Sequence, residues 1–214
     1  MKPLLVFDMD GVLVEVKESY RETIRVTVQH FTESAPSHEI IQHYKNEGGW
    51  NNDWKLSHEL IRVAGKDIPY ETVVRVFNQF FFGHNGEPGL ILRERWIDNS
   101  QILKRLSEKY DFAIFTGRLH EEAQITLRRF GSDYSWFAVL GDDNVAHSKP
   151  HPDGLNQLKA KREIAWYLGD TIDDARAARD AQVPFIAITA PGGDFQDLPV
   201  ALAVHSINEL ESIL

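Results

Sequence analysis

At 214 residues the chain suits one domain with an insertion, or two small domains. Its formal net charge of −9 argues against a non-specific nucleic-acid binder, so no nucleic-acid partner is expected. The absence of cysteine excludes disulfides, thiolate nucleophiles and cysteine–zinc sites. The first apolar run is interrupted too early for a signal peptide, and none approaches the ~20 residues of a membrane span. We therefore expect a cytoplasmic protein without a membrane partner.

The first predicted element is a strand over residues 4–7, an apolar run that turn residues end at once. Asp8 and Asp10 follow where this strand ends, and Gly11 permits a sharp turn. Open α/β sheets bind ligands at the carboxyl ends of their strands. If the chain stays extended, both carboxylates face one pocket, where they need a cation or a proton.

Residues 15 to about 90 are predicted to be all-helical, with no strand signal. Apolar residues recur at helical spacing over about 15–32, and again after Pro36, Asp53 and Pro69. Asp53 is the expected N-cap of the third helix. The apolar sides of the second and fourth helices are predicted to hold Ile40, Ile41 and Tyr44, and Val73, Val74, Phe77, Phe80 and Phe81.

From about residue 98, helices and strands alternate, with strands predicted at 112–115, 136–140, 164–168, 184–188 and 200–204. Such alternation predicts a mostly parallel sheet with helices on both faces. The predicted fold class is therefore α/β, doubly wound and mostly parallel, with a helical insertion after the first strand. We expect an α/β core domain of residues 1–14 and 91–214 and an inserted helical domain of residues 15–90.

Acidic side chains follow two of the predicted strands. Asp170 and Asp174 lie four residues apart after the strand at 164–168, so one helical turn would place them on the same face. Two carboxylates about 4 Å apart repel by ~4 kcal/mol at an effective dielectric constant near 20. Asp8, Asp10, Asp170 and Asp174 in one pocket would therefore need a cation. We found no paired-histidine motif, and oxygen ligands alone favour magnesium before calcium.

Anion-binding groups follow two further strands. Thr116, Gly117 and Arg118 offer a hydroxyl, a flexible backbone and a guanidinium, and Lys149 lies in the loop after the next strand. Each alone has an ordinary explanation as a helix cap or a solvated charge. Their joint placement at the ends of successive strands favours function, and with magnesium they would bind a dianion such as a phosphoryl group.

Four stretches of the chain, residues 8–13, 115–118, 149–152 and 169–174, resemble the four ordered motifs of the haloacid dehalogenase (HAD) superfamily. The helical segment at about 15–90 resembles the C1-type cap of subfamily I. The resemblance spans the whole chain and implies a HAD-like Rossmannoid core.

The resemblance also implies catalytic roles. Asp8 would attack phosphorus and become an aspartyl-phosphate. Asp10 would protonate the leaving oxygen and then activate water. Thr116 and Lys149 would hold the phosphoryl oxygens.

The magnesium ligands implied by the resemblance are Asp8, the backbone carbonyl of Asp10, and Asp170. Either Asp173 or Asp174 would support the metal from outside. The usual motif spacing favours Asp174.

The resemblance implies a magnesium-dependent phosphatase acting on a small phosphorylated metabolite. Asp10 argues against dehalogenation, because the dehalogenase branch lacks a carboxylate at this position. A phosphomutase and a catalytically idle binding module stay open as alternatives. Both a monomer and a homodimer are possible, and the Phe-rich stretch at 77–82 is a candidate contact.

Substrate contacts are expected from Gly117 and Arg118 and from the cap, which would close over the core and exclude water. In the cap we single out Lys45, Trp50 and Asn51, near a Gly48–Gly49 kink. Aromatic residues after such a kink more often pack between helices. His120 and His147 are interpreted as surface or loop residues.

Overall fold

The computed structural model describes residues 1–189, 195 and 198–214. The chain divides into two compact units, which we call the α/β unit (Met1–Glu15 and Trp96–Leu214) and the helical unit (Val16–Arg95). Among the described residues, no helix has both the length and the apolar character needed to cross a membrane.

The described residues form ten strands. In chain order they are β1 Leu4–Phe7, β2 Val14–Glu15, β3 Gly83–His84, β4 Glu87–Pro88, β5 Arg95–Trp96, β6 Asp111–Phe115, β7 Trp136–Leu140, β8 Ile164–Gly169, β9 Phe185–Ile188 and β10 Leu202–Val204.

The described residues also form eight α-helices and three 3-10 helices. The α-helices are α1 Tyr20–Thr32, α2 His38–Glu47, α3 Asp53–Val63, α4 Tyr70–Phe82, α5 Ile102–Leu106, α6 His120–Phe130, α7 Asp153–Lys159 and α8 Ile172–Ala181. The 3-10 helices are Leu90–Arg93, Asp142–Asn144 and Ile207–Ser212.

The α/β unit is built on a six-stranded sheet in the order β10-β9-β8-β1-β6-β7, with parallel neighbours throughout. Starting from β1, the chain adds β6 and β7 on one side and then β8, β9 and β10 on the other. The strand order therefore reverses between β1 and β8, which is where doubly wound sheets bind ligands. The predicted fold class is confirmed.

The core of the α/β unit forms because β1 is buried on both faces: all four of its side chains are fully inaccessible. Phe7 packs edge-on against Phe112, with ring centroids 5.4 Å apart. Burying one such side chain contributes about 1.5–3 kcal/mol to stability. This packing fixes β1 in the sheet and therefore fixes where residue 8 emerges.

Within the helical unit, α1, α3 and α4 pack against one another. The buried face of α4 contains Val73, Val76, Phe77 and Phe81. This fully buried set differs from the predicted apolar side, since it includes Val76 and leaves Val74 and Phe80 half-buried. Its i, i+3, i+4, i+8 spacing follows one helical face.

Three local predictions for the helical unit are also corrected. Only Ile41 is buried on α2, whereas Ile40 is exposed. Asn52, one residue before Asp53, caps α3 by accepting a hydrogen bond from the Lys55 N–H at 2.9 Å. The segment is also not purely helical, because β3 and β4 form a two-residue antiparallel hairpin.

The first helix also begins later than predicted. Residues 14–15 are extended, so α1 starts at Tyr20. The closing helix at 207–212 is a 3-10 helix, a tighter form that is common in short pieces.

Candidate active site

The turn after β1 presents the first acidic pair. The Met9 carbonyl accepts hydrogen bonds from the N–H groups of Leu13 and Val14, at 2.9 and 3.0 Å, which closes the turn. Gly11 adopts a φ of 75°, a conformation that suits glycine. A side chain there would clash with the Asp170 carboxylate, so Gly11 lets that carboxylate lie against the turn.

A buried ammonium group links three parts of the α/β unit. Lys149 Nζ donates to Asp8 Oδ1 at 2.8 Å and to Asp174 Oδ1 at 2.6 Å. It also donates to the Tyr167 hydroxyl at 3.3 Å. The Lys149 side chain is only 3% exposed, so these contacts exclude most water. Asp8 and Asp174, which are 141 and 25 positions away from Lys149 in the sequence, thus both contact its ammonium group.

Burial and charge shift the pKa values of this cluster. Burial raises the pKa of Asp8 to about 7, assisted by the carboxylates of Asp174 and Asp10 and opposed by Lys149. For Lys149, burial acts to lower the pKa, but Asp174 and Asp8 outweigh it and hold the pKa above its usual value. Burial, together with the charge of Asp174, also raises the pKa of Tyr167 well above its usual value.

Asp174 accepts hydrogen bonds on both oxygens of its carboxylate. Besides Lys149, the Tyr167 hydroxyl donates to its Oδ1 at 2.6 Å. The Thr171 hydroxyl and N–H donate to its Oδ2 at 2.6 and 3.1 Å, forming a capping box at the start of α8. Although burial opposes ionisation, Lys149 and these hydrogen bonds lower the pKa of Asp174. Asp174 is therefore held as a carboxylate.

Asp8, Asp170 and Asp174 could together hold a metal ion. One carboxylate oxygen from each lies within 4.8 Å of the others. Three carboxylates against one ammonium group leave two formal negative charges, which a divalent cation would neutralise. Because all the donors are oxygens, the set fits Mg²⁺. Asp173 has a different neighbour, since its Oδ1 lies 3.6 Å from Nη1 of Arg176.

Asp10 pairs with a buried arginine. Arg118 Nε and Nη2 lie 2.7 and 2.5 Å from Asp10 Oδ1. Arg118 Nη1 donates to the Thr126 hydroxyl at 2.7 Å. Arg118 is only 3% exposed, whereas the Asp10 side chain is 33% exposed. The guanidinium therefore holds the Asp10 carboxylate from within the protein while leaving it open to solvent.

Thr116 and Gly117 follow β6 at the same edge of the sheet. Ile114 is the register partner of Phe7, so Thr116 lies just beyond the level of Asp8. Thr116 is buried, and its Oγ1 accepts a hydrogen bond from the Arg118 N–H at 3.3 Å. Gly117 lies in the bend between these two residues. This arrangement can present a hydroxyl and a backbone N–H to an anion.

Comparison with known proteins assigns the chain to a family. Residues 5–188 match the family model described as haloacid dehalogenase-like hydrolase. The chain belongs to this family. It is thus a hydrolase of the HAD superfamily, as the resemblance implied.

The chain is also similar to individual proteins of known name. Over its whole length the chain is 24% identical to a phosphoglycolate phosphatase of Rhodobacter capsulatus, covering 97% of that protein. Over 87% of its length it is 31% identical to an imidazoleglycerol-phosphate dehydratase of Phytophthora nicotianae, but it spans only 43% of that protein. A solved HAD-like hydrolase from Bacteroides fragilis shares the fold, with a TM-score of 0.77 and 15% identity over 98% of this chain and all of that one.

The helical unit holds the remaining candidates of this HAD-like hydrolase. Lys45 Nζ donates to Asp53 Oδ1 at 2.6 Å and to the Asn51 carbonyl at 3.3 Å. Trp50 packs edge-on against Tyr44, with ring centroids 5.3 Å apart. The Asn51 side-chain nitrogen is buried and has no hydrogen-bond partner among the described residues. Lys45 and Trp50 thus have structural neighbours, while the Asn51 amide retains a donor for a ligand.

Sequence reasoning missed two residues of the site, Tyr167 and Thr126. Tyr167 supplies a hydroxyl to Lys149 and Asp174, and Thr126 supports Arg118. Tyrosine in an otherwise buried strand that ends at a cluster of charges was a usable signal, because a buried hydroxyl needs a partner. Thr126 gave no such signal, since threonine on a helix often bonds to its own backbone.

Proposed function

We propose that this hydrolase is a Mg²⁺-dependent phosphatase that acts on a small phosphorylated metabolite through an aspartyl-phosphate on Asp8. The observation that carries the proposal is the buried bridge from Lys149 to Asp8 and Asp174, with Asp170 beside them. Family membership and the phosphoglycolate phosphatase relative support hydrolysis of phosphoric monoesters.

Mg²⁺ would be held by Asp8, Asp170 and the backbone carbonyl of Asp10, with Asp174 supporting the site from outside. The oxygen-only donor set and its two surplus negative charges support this choice. When bound, the ion would offset negative charge on the phosphoryl oxygens.

The proposed reaction has two steps. In the first, an Asp8 carboxylate oxygen attacks phosphorus, the ester P–O bond breaks, and the leaving oxygen takes a proton from Asp10. In the second, Asp10 takes a proton from water, the water oxygen attacks phosphorus, and the bond between phosphorus and the Asp8 oxygen breaks to release inorganic phosphate. Asp10 thus begins and ends the cycle protonated, and Asp8 begins and ends it as a carboxylate.

The other residues of the site would bind the phosphoryl group or orient the catalytic side chains. Lys149 and the Thr116 hydroxyl, with the Gly117 backbone, would bind the phosphoryl oxygens. Arg118 was predicted to contact substrate. Its hydrogen bonds to Asp10 and Thr126 favour a positioning role instead.

We further propose that the helical unit is the cap and selects the substrate, with domain boundaries near the predicted 15–90. The Asn51 amide is its best candidate for a substrate contact, because it is a buried donor without a protein partner among the described residues. A cytoplasmic location, and a monomeric or homodimeric state, stay predictions.

A phosphatase screen across small phosphorylated metabolites, with Mg²⁺ and with chelator, tests the proposal. It should include phosphoglycolate and imidazoleglycerol phosphate. We expect Mg²⁺-dependent phosphate release that is abolished in Asp8→Asn. Recovery of a rearranged sugar phosphate in place of inorganic phosphate would indicate the phosphomutase. Folded, Mg²⁺-bound protein that releases no phosphate from any ester would indicate the idle binding module.

A further inference from the structure

A second cluster of metal-binding side chains lies in the segment that carries Lys149. His147 and His151 lie on either side of Lys149–Pro150, and Asp153 is the first residue of α7. The proposed reaction uses none of these three side chains. Sequence reasoning overlooked the His-x3-His spacing and placed His147 among surface residues.

The three side chains converge on one point, and we call them the His–Asp cluster. His147 Nδ1 lies 2.9 Å from Asp153 Oδ2, and His151 Nδ1 lies 2.9 Å from Asp153 Oδ1. The two imidazole rings face each other, with centroids 4.5 Å apart and planes inclined by 34°. One ligand atom from each of the three residues lies within 4.8 Å of the other two.

These distances suit a small transition-metal ion. Zn²⁺ binds imidazole nitrogen and carboxylate oxygen at about 2.0–2.2 Å, so tetrahedral ligands lie about 3.3 Å apart. Small side-chain rotations would bring the three ligands to that spacing. Two imidazoles and one carboxylate favour Zn²⁺ over Mg²⁺, which prefers oxygen ligands alone.

The cluster is also accessible to a metal ion. The side chains of His147, His151 and Asp153 are 67%, 47% and 25% exposed. An ion can therefore enter from solvent, and water can fill a fourth ligand position. The ordinary explanation is that Asp153 simply pairs with two surface histidines. A Zn²⁺ titration separates this pairing from metal binding.

We propose that His147, His151 and Asp153 form a second metal site, for Zn²⁺ or a similar transition-metal ion. The ion would link the two ends of the segment that contains Lys149. The proposal is independent of the proposed phosphatase activity, because its readout is metal binding.

The test uses the full chain in excess Mg²⁺, which occupies the carboxylate site, and titrates Zn²⁺ against a competing chelator. We expect one Zn²⁺ per chain, and Co²⁺ in its place should give a tetrahedral visible spectrum. His147→Gln, His151→Gln and Asp153→Asn should each weaken Zn²⁺ binding at least about tenfold, because each removes one of three ligands.

Two controls locate the ion. His205→Gln removes an exposed histidine that hydrogen-bonds to the Thr189 carbonyl, outside the cluster, and should leave Zn²⁺ binding unchanged. Asp170→Asn alters the carboxylate cluster and should also leave it unchanged.

Zn²⁺ should also raise the thermal unfolding midpoint of the wild type but not of a His147→Gln/His151→Gln double variant. The proposal is overturned if the wild type binds no Zn²⁺ or if the double variant binds it as tightly. It is equally overturned if Asp170→Asn abolishes binding.

Discussion

Replacing Arg118 tests how Asp10, the proposed general acid, is positioned. In Arg118→Met the side chain keeps most of its length but loses the charge and every donor. The Asp10 carboxylate then loses two contacts, at 2.7 and 2.5 Å, and the Thr126 hydroxyl loses one at 2.7 Å. Because Asp10 is partly exposed, water can replace part of what it loses. We therefore expect unfolding to become easier by only about 1–2 kcal/mol.

The effect on catalysis should be larger than the effect on stability. General acid catalysis typically contributes 10²–10⁴-fold to rate. If Arg118 supplies the positioning of Asp10, its loss should lower kcat/KM for an alkyl phosphate about 10²-fold. An aryl phosphate such as p-nitrophenyl phosphate has a leaving group that needs little protonation, so its kcat/KM should fall less than about fivefold. Arg118→Lys keeps a charge and should restore part of the alkyl activity.

The assay compares alkyl and aryl phosphates for the wild type, Arg118→Met, Asp10→Asn and the double variant. If Arg118 acts through Asp10, the double variant should be no slower than Asp10→Asn alone. Equal losses on both substrates, or a rise in KM with kcat unchanged, would instead show that Arg118 binds substrate. Additive losses in the double variant would also refute a positioning role.

Four further outcomes follow from the site. Asp8→Asn should lower phosphate release at least about 10³-fold while circular dichroism shows a folded protein, and residual turnover near wild type would exclude Asp8 as nucleophile. Tyr167→Phe should lower the free energy of unfolding by about 1–2 kcal/mol, measured in denaturant, because a buried hydroxyl that donates to Asp174 is lost. Mg²⁺ affinity measured by calorimetry should fall up to tenfold per pH unit below about pH 7, since burial raises the pKa of Asp8 to about 7 and its proton competes with the ion; a flat profile would contradict this. Gly11→Ala should weaken Mg²⁺ binding, because its side chain would displace the Asp170 carboxylate, whereas Gly86→Ala, which also has a positive φ but open space around it, should lower stability without this effect.

The position of the site could be predicted because it depends on strand order and on residue type. An apolar run ended by Asp8 predicts a buried central strand, and parallel strands place their carboxyl ends at one edge. This explains why Lys149 and Asp174, which are remote in sequence from Asp8, were expected near it. In the structure, the ammonium group of Lys149 donates hydrogen bonds to both Asp8 and Asp174.

The direction of individual side chains could not be predicted in the same way. Arg118 follows Thr116 and Gly117, and that placement fits substrate binding and ion pairing equally well. Its contact with Asp10 depends on Thr126, eight residues later on α6, which fixes the other end of the guanidinium. The helical spacing of apolar residues also did not predict which side chains of α2 are buried, since Ile40 is exposed.

The site separates two tasks among its carboxylates. Asp174 receives hydrogen bonds from Lys149, Tyr167 and Thr171, which hold it ionised and fixed. Asp8 has Lys149 as its partner in the same network and keeps a pKa near neutrality, because burial opposes its charge. Removing Lys149 would leave Asp174 buried without its cation, a loss that typically costs 3–5 kcal/mol. The lysine is therefore needed for the folded network. Because fewer donors offset the burial of Asp8, its carboxylate has more to gain than that of Asp174 from a bound cation, which agrees with the nucleophilic role that we propose for it.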